Sequence, residues 1–261
     1  MEYAGAVLDL DGTIYRGSEL LPGAAAAVRR LRELGIRPVF FSNNPTKSRS
    51  AYADRLSELG IDVGPESVLS AGTVTTRFLA DEHGDGAIFL VGDDGLRRQF
   101  EAAGLHVVEE ATAADVLVVS WTDKFDYGDL LAGYRALNSG ATFYGTDPDR
   151  LIPAESGMAP GSGAIINAVG GVVGREPAKI LGKPSPEARA AALSALDAPP
   201  ERCLVIGDRL DTDIALGAAA GMTTVLVETG IDAEADIGES RRTPDYVIES
   251  LAELEQVLEG L

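Results

Sequence analysis

The sequence predicts an α/β fold: a doubly wound, Rossmann-like core built on a parallel sheet, with an inserted second α/β domain. Short apolar runs alternate with helical stretches along the chain, and this order gives parallel strands. Hydrophobic residues make up 45% of the 261 residues, which is enough for a sizeable core. The alternation starts again after about His83, which indicates a second unit inserted in the first.

The first core segment is expected to hold strand–helix units. Pro22 suits the first turn of a helix and Gly35 suits a helix end, so an alanine-rich helix is expected between them. The other expected elements are strands at 4–10 and 38–42, a loop at 14–21, a helix capped by Thr46 and running to Leu59-Gly60, a short apolar segment at 67–70 and a helix ending near residue 80.

The insert and the second core segment continue the alternation. The insert is expected to contain strands at 87–91, 105–108, 116–120 and 142–144, and helices at 95–103, 127–138 and 164–169. The core then resumes with strands at 180–181, 203–206, 225–227 and 246–248, helices at 186–196 and 213–220, and a terminal helix. The expected domains are therefore a core domain at 1–80 and 178–261 and an inserted second domain at 81–177.

The chain carries a formal net charge of −19. Such a surface opposes nucleic-acid and anionic-membrane binding, and no run approaches the roughly 20 apolar residues of a membrane span. The first strand begins too early for a signal peptide, and the single Cys203 argues against disulfides, so a cytoplasmic protein is expected. An acidic surface suits concentrated salt, so a halophilic source is predicted; the alternative is an ordinary acidic cytosolic enzyme.

Four short segments place polar groups beside the expected strand ends. They are Asp9-Leu10-Asp11-Gly12-Thr13, Ser42-Asn43, Lys183-Pro184, and Gly207-Asp208 with Asp213. The carboxyl ends of parallel strands converge on one edge of a sheet, where ligands bind. These segments therefore predict one site that combines carboxylates for a divalent metal with groups that suit a phosphate.

The first segment has two interpretations. Asp9 and Asp11 are two residues apart, so an extended strand would put both carboxylates on one face, where they repel each other. Mg²⁺ would relieve that repulsion, because it prefers hard oxygen ligands. Gly12 permits a sharp turn that exposes amides to an anion. The alternative is an Asp-Gly turn in which Thr13 is only a local hydrogen bonder.

The other segments also have plain structural alternatives. Ser42 and Asn43 can donate to phosphate oxygens, or they can form a polar turn. Lys183 can bind a phosphate or carry a solvated charge, although the chain has only four lysines. Asp208 and Asp213 can serve a metal, or they can cap a helix and complement its dipole.

In this order the four motifs resemble those of the haloacid dehalogenase-like hydrolase superfamily, and within it the NagD / p-nitrophenylphosphate phosphatase branch. The resemblance covers about residues 1–80 and 178–261, and the insertion looks like that branch's large α/β cap. It implies a Mg²⁺-dependent phosphatase that hydrolyses a small phosphate monoester, such as a sugar phosphate or nucleotide, through an aspartyl-phosphate. The large cap implies a small substrate enclosed between two domains.

The resemblance also assigns roles. Asp9 is the nucleophile, and Asp11 is the general acid and then the general base. Mg²⁺ is held by the Asp9 carboxylate, the Asp11 backbone carbonyl and Asp208, with Asp213 orienting a bound water or Lys183. The phosphate is bound by side chains and backbone amides at Gly12, Thr13, Ser42, Asn43 and Lys183.

In the cap, Asp147, Gly161 and Ser162 are candidates for substrate contact, because similar segments in this branch face the active site and helix N-termini attract anions. Ordinary turn chemistry is the alternative. The expected partner is a small phosphorylated metabolite. Whether the chain forms a homodimer stays open: the cap in this branch often mediates dimers, but the sequence shows no clear apolar patch. Two other functions stay open: a phosphomutase or phosphotransferase, and a catalytically silent metal-binding regulatory protein of the same fold.

Overall fold

The computed structural model describes residues 3–154, 157–238 and 242–259. Its strands form two larger sheets and two hairpins. The six-stranded sheet contains β1 (Gly5–Leu8), β4 (Arg37–Ser42), β5 (Val68–Ser70), β13 (Cys203–Gly207), β14 (Thr223–Val227) and β15 (Tyr246–Ile248). The five-stranded sheet contains β6 (Ala87–Val91), β7 (His106–Val107), β8 (Val116–Val119), β9 (Thr142–Gly145) and β12 (Lys179–Ile180). The hairpins pair β2 (Tyr15–Arg16) with β3 (Glu19–Leu20), and β10 (Leu151–Ala154) with β11 (Gly157–Pro160).

The helices lie between the strands in the alternating order that the sequence predicts. They are α1 (Ala24–Glu33), α2 (Arg49–Glu58), α3 (Ala71–His83), α4 (Asp94–Ala102), α5 (Tyr127–Asn138), α6 (Ser162–Val173), α7 (Pro186–Leu196), α8 (Ala215–Ala220) and α9 (Leu254–Glu259). Short 3₁₀ turns lie at Pro65–Ser67, Ala111–Ala113, Pro200–Arg202, Glu234–Gly238 and Leu251–Glu253, and a π turn lies at Leu210–Ile214. None of the helices in the described residues has the length and apolar character that crossing a membrane requires.

The six-stranded sheet has the order β15-β14-β13-β1-β4-β5, and β1 is parallel to both of its neighbours. The chain runs outward from β1 through β4 and β5, then returns to β13 on the other side of β1. The strand order therefore reverses between β1 and β13, and a crevice at such a reversal is where α/β sheets bind ligands. Every residue of β1 and β13 is buried, as expected for apolar strands covered on both faces.

The five-stranded sheet has the order β12-β9-β8-β6-β7, and its strands are also parallel. Its core strand β8, with the sequence Val-Leu-Val-Val, is buried throughout. Two parallel sheets with alternating helices confirm the predicted α/β class.

The described residues divide into two compact units. The first lies within Met1–Ser42, Arg49–Leu69 and Lys183–Leu261, and the second within Asn43–Ser48 and Ser70–Gly182. These borders differ from the expected ones at 80 and 178, because α3 packs against α4 in the second unit. The division into a catalytic core and a cap stays a prediction.

Three local predictions are wrong. Residues 14–21, expected as a loop, contain the hairpin β2–β3, and the hairpin β10–β11 was not expected. Helix α2 begins at Arg49, later in the chain than a cap at Thr46 would place it. The reason is a local turn, in which the Asn44 side chain accepts hydrogen bonds from the Thr46 amide at 3.0 Å and the Thr46 hydroxyl at 2.8 Å.

Candidate active site at the carboxyl edge of the six-stranded sheet

Three adjacent strands end beside one another and carry polar residues at their ends. Asp9 directly follows β1, Ser42 is the last residue of β4, and Asp208 directly follows β13. The parallel register brings these ends to the same edge, because Leu8 of β1 pairs with Phe40 and with Ile206. The predicted convergence of these three segments is thus present in the first unit.

Lys183 joins the site from the segment before α7. Ser185 fixes the start of this helix, because its side chain accepts a hydrogen bond from the Ala188 amide at 3.0 Å, and Pro186 occupies the first turn. The helix begins three residues after Lys183, so the lysine is held next to a rigid element.

The ammonium group of Lys183 is buried, with a side-chain exposure of 1%. Its Nζ donates to Asp9 Oδ1 at 2.5 Å, to Asp213 Oδ1 at 2.6 Å and to the Phe41 carbonyl at 2.8 Å. Burial alone would lower the pKa of Lys183, but the carboxylates of Asp213 and Asp9 outweigh it and raise the pKa. The lysine is therefore a fixed positive charge that links two acidic segments.

Asp9, Asp208 and Asp213 form a buried carboxylate cluster. One carboxylate oxygen from each lies within 4.8 Å of the others. Burial is the main cause that raises the pKa of Asp9 well above its usual range, with Lys183 opposing it, and burial followed by Asp213 raises the pKa of Asp208 to about 7. Without a further cation these carboxylates are costly to ionise.

The cluster fits a divalent cation. Asp208 Oδ1 is buried and has no hydrogen-bond partner among the described residues, whereas Asp208 Oδ2 accepts from the Ile231 amide at 2.8 Å. Asp208 Oδ1 and the two neighbouring carboxylates together offer the oxygen ligands that hard cations such as Mg²⁺ or Mn²⁺ prefer.

Gly12 packs so closely against this cluster that a side chain at this position would not fit. Its φ of +96° is strained for residues with a side chain, and a Cβ there would come within 2.5 Å of Asp208 Oδ2. The Gly12 amide donates to the Tyr15 carbonyl at 2.9 Å and the Thr13 amide donates to the Leu10 carbonyl at 3.3 Å. These amides thus close the turn after β1.

Asp11 differs from Asp9 in its surroundings. Asp9 is buried, whereas Asp11 is exposed. The prediction that both carboxylates lie on one face of a strand is wrong, because β1 ends at Leu8 and the chain turns beyond it. After burial, the Asp11 carboxylate is the next cause that raises the pKa of Tyr15 and Tyr52, so its charge faces these two buried phenols.

The remaining predicted phosphate ligands of the first unit are both buried. The Ser42 hydroxyl accepts a hydrogen bond from the Tyr52 hydroxyl at 3.4 Å. Thr13 Oγ1 is buried without a hydrogen-bond partner among the described residues. Asn43, by contrast, belongs to the second unit, where its Nδ2 donates to Asp149 Oδ1 at 3.4 Å.

The predicted cap residues meet in a second polar cluster, inside the second unit. Asp147 Oδ2 accepts from Ser162 Oγ at 2.5 Å and from Thr146 Oγ1 at 3.0 Å. Burial, followed by Asp149, raises the pKa of Asp147 to about 8. Gly161 precedes α6, and a Cβ there would overlap the carbonyl of Asp149, so close backbone packing explains this glycine.

The sequence reasoning missed one segment of the site, the loop after β14. Ile231 binds the Asp208 carboxylate through its amide, and the Thr229 hydroxyl donates to the Gly12 carbonyl at 2.6 Å. The signal was available, because this loop also follows a buried strand of the same sheet, which ends at Val227.

The sequence of the chain matches those of a known family. A profile described as haloacid dehalogenase-like hydrolase matches residues 6–106, and one described as HAD-hydrolase-like matches residues 180–254. The chain is 34% identical over 257 residues to the sugar-phosphatase AraL of Bacillus subtilis, covering 98% of this chain and 93% of that protein.

Solved structures agree with the sequence matches. The p-nitrophenyl phosphatase from Archaeoglobus fulgidus superposes with a TM-score of 0.92 at 36% identity, covering 98% of this chain and 100% of that one. NagD from the E. coli K-12 strain superposes with a TM-score of 0.86 at 28% identity, covering 97% and 98%. The chain therefore belongs to the haloacid dehalogenase-like hydrolases, in the branch of NagD and the p-nitrophenyl phosphatases.

Proposed function

We propose that this phosphoric monoester hydrolase acts on small sugar phosphates, and that it does so by transferring the phosphoryl group to Asp9. The observation that carries the proposal is the buried pairing of Asp9 with Lys183 beside the carboxylates of Asp208 and Asp213. One relative is named a sugar-phosphatase, which favours sugar phosphates as substrates. Another is named a p-nitrophenyl phosphatase, so p-nitrophenyl phosphate is a suitable test substrate.

In the first step a carboxylate oxygen of Asp9 attacks phosphorus, and the bond from phosphorus to the ester oxygen breaks. Asp11 donates its proton to the leaving alkoxide, so that a neutral alcohol departs. The different surroundings of the two acids suit these roles. Lys183 favours the ionised form of the buried Asp9, and the exposed Asp11 can exchange a proton with solvent.

In the second step water attacks phosphorus of the aspartyl-phosphate, and Asp11, now ionised, takes a proton from that water. The bond between phosphorus and Asp9 breaks, which releases inorganic phosphate and restores the carboxylate. Through both steps the negative charge on the transferring oxygens is greatest in the transition state. Lys183 and the Ser42 hydroxyl, with Asn43 and Thr13 as further candidates, would stabilise it.

We propose Mg²⁺ as the cofactor, held by the carboxylates of Asp9 and Asp208 and the backbone carbonyl of Asp11. When bound, the cation neutralises charge on the phosphate and on the cluster. Asp213 would then keep Lys183 in place, since its Oδ1 accepts from the ammonium at 2.6 Å.

The proposal is tested by a screen for phosphate release over sugar phosphates, nucleotides and p-nitrophenyl phosphate, with Mg²⁺ and with a chelator. We expect release that requires the metal and that is abolished in Asp9→Asn. Isomerised sugar phosphate without free phosphate would instead support the phosphomutase alternative. Failure to turn over any ester would support the silent metal-binding protein.

Several finer expectations remain proposals. Asp147, Gly161 and Ser162 stay candidates for recognising the substrate, a cytoplasmic location stays an expectation from the sequence, and the formation of a homodimer stays open. Sedimentation of the purified chain at several concentrations tests the dimer: a single monomeric species throughout would contradict it.

A further inference from the structure

We infer that the loop Thr229–Asp232 positions the metal site, and that Asp232 is its principal positioning residue. This inference rests on the proposed metal site. The loop supplies no ligand to the carboxylate cluster. It instead holds the two segments that do, the turn after β1 and the loop after β13, through contacts with both of them.

The first set of contacts fixes Asp208. The Ile231 amide donates to Asp208 Oδ2 at 2.8 Å, and the next amide, of Asp232, donates to the Asp208 carbonyl at 3.0 Å. Two successive amides thus hold the side chain and the backbone of one residue. Because Oδ2 is occupied in this way, the buried Oδ1 is the oxygen that is left for a cation.

The second contact fixes the path of the chain after Asp208. Asp232 Oδ2 accepts a hydrogen bond from the Leu210 amide at 2.7 Å, at the start of the π turn that leads to Asp213. Asp232 therefore holds the start of the segment after β13 at two points: its amide donates to the Asp208 carbonyl, and its carboxylate accepts from the Leu210 amide.

The third contact reaches the turn after β1. The Thr229 hydroxyl donates to the Gly12 carbonyl at 2.6 Å, and the guanidinium group of Arg16 donates to the Thr229 carbonyl. One short loop therefore sets the spacing between the turn that carries Asp9 and the segment that carries Asp208.

Gly230 makes the packing tight. A Cβ at this position would overlap the carboxylate of Asp208, and Gly12 approaches the same carboxylate from the other segment. A carboxylate enclosed in this way has little rotational freedom, so its orientation toward a cation is set before the cation binds.

The experiment is a calorimetric titration of MgCl₂ into the metal-free full chain, without substrate. Asp232→Ala keeps the two backbone amides that bind Asp208 and loses only the side-chain bond to the Leu210 amide. It should therefore weaken Mg²⁺ binding by about 10-fold, the lower end of the effect of losing a group that supports a metal ligand. Asp232→Asn keeps an oxygen that accepts from Leu210 and should restore affinity close to that of the unaltered chain. Gly230→Ala, which adds only one methyl group, should weaken binding by forcing Asp208 out of place.

Asp245→Ala is the matched control. Asp245 accepts from the Thr224 amide at 2.8 Å, so it makes the same kind of side-chain bond at the opposite end of β14, away from the cluster. Its removal should lower the melting temperature of the metal-free chain without changing Mg²⁺ affinity.

The outcomes separate this inference from the proposed function. Mg²⁺ affinity of Asp232→Ala and Gly230→Ala equal to that of the unaltered chain would overturn the positioning role alone. An unaltered chain that binds no Mg²⁺ would overturn the proposed metal site, and this inference with it. Equal loss of affinity in Asp245→Ala would mean that general destabilisation, not positioning, is responsible.

Discussion

At the scale of single residues, the site depends on how one buried ammonium is shared. Lys183 Nζ lies 2.5 Å from Asp9 and 2.6 Å from Asp213, and all three side chains are almost inaccessible to solvent. Removing one partner of a buried ion pair leaves an uncompensated charge, which costs more than the pair itself contributes.

We therefore predict that Lys183→Met lowers the free energy of unfolding by about 3–5 kcal/mol at pH 8, as measured by urea denaturation. Turnover should also be lost, because Asp9 and the transferring phosphate lose the same charge. Lys179→Met is the control. Lys179 is exposed and lies 5.2 Å from the Phe78 ring, so its removal should cost about 1 kcal/mol or less. Equal losses in both variants would contradict the prediction.

The sequence predicts the positions of several site residues, because strand ends are visible as the ends of apolar runs. Asp9, Ser42 and Asp208 were placed in this way, and the structure brings them to one sheet edge. The environment of Asp11 was not predictable from spacing, because the alternation of a strand stops where the strand stops. The loop after β14 also follows a buried strand, so the same rule places it at this edge of the sheet. Its residues carry no conspicuous charge pattern that would mark it in the sequence.

At the scale of elements, the loop after β9 meets the first residue of α6 at Asp147, a carboxyl group whose pKa is raised by burial. Asp147 is buried beside Asp149 and is bonded to Ser162 and Thr146. Its pKa is raised to about 8, from an ordinary value near 4. The folded chain therefore binds a proton that the unfolded chain releases between these values.

The sign of the effect follows directly. The stability contributed by protonated Asp147 is fully present below about pH 4 and is lost as the pH rises through about 8. Asp147→Asn should therefore lose less unfolding free energy between pH 5 and pH 9 than the unaltered chain, in urea denaturation at a series of pH values.

Glu110→Gln is the control for this pH series. The Glu110 side chain is exposed, and hydrogen bonds from Thr112 lower its pKa, so it is ionised throughout that range. The variant should keep the pH slope of the unaltered chain. Parallel curves for Asp147→Asn and the unaltered chain would contradict the prediction.

The hairpins mark the limit of prediction for elements. The strands β2 and β3 are two residues each, too short to give a pattern. The strands β10 and β11 have the sequences Leu-Ile-Pro-Ala and Gly-Met-Ala-Pro, which are largely exposed and contain prolines. The helices α5 and α7 have the predicted bounds, and both start at a capping residue: Asp126 caps α5, and Ser185 followed by Pro186 begins α7.

At the scale of the whole molecule, the net charge of −19 is the property that local packing does not explain. We propose that it reflects a protein adapted to concentrated salt. Repulsion between exposed carboxylates is screened over roughly 10 Å at 0.1 M salt and about 3 Å at 1 M salt. The melting temperature should therefore rise steadily with KCl.

Sucrose at matched osmolality serves as the uncharged control for that series, and it should stabilise the chain less than KCl does. A melting temperature that is the same at low and multimolar KCl would contradict the halophilic proposal. It would leave the ordinary acidic enzyme, the alternative that the composition allows.

The central claim is that Asp9 receives the phosphoryl group. Its most direct test is rapid mixing of Asp11→Asn with p-nitrophenyl phosphate and Mg²⁺, followed by acid quenching and mass measurement of the peptide that contains Asp9. Nitrophenolate leaves without an acid, but the second step lacks its base. We predict a burst of about one nitrophenolate per chain and a phosphoryl group on Asp9. A burst without that adduct, or an Asp9→Asn chain that turns over normally, would contradict the claim.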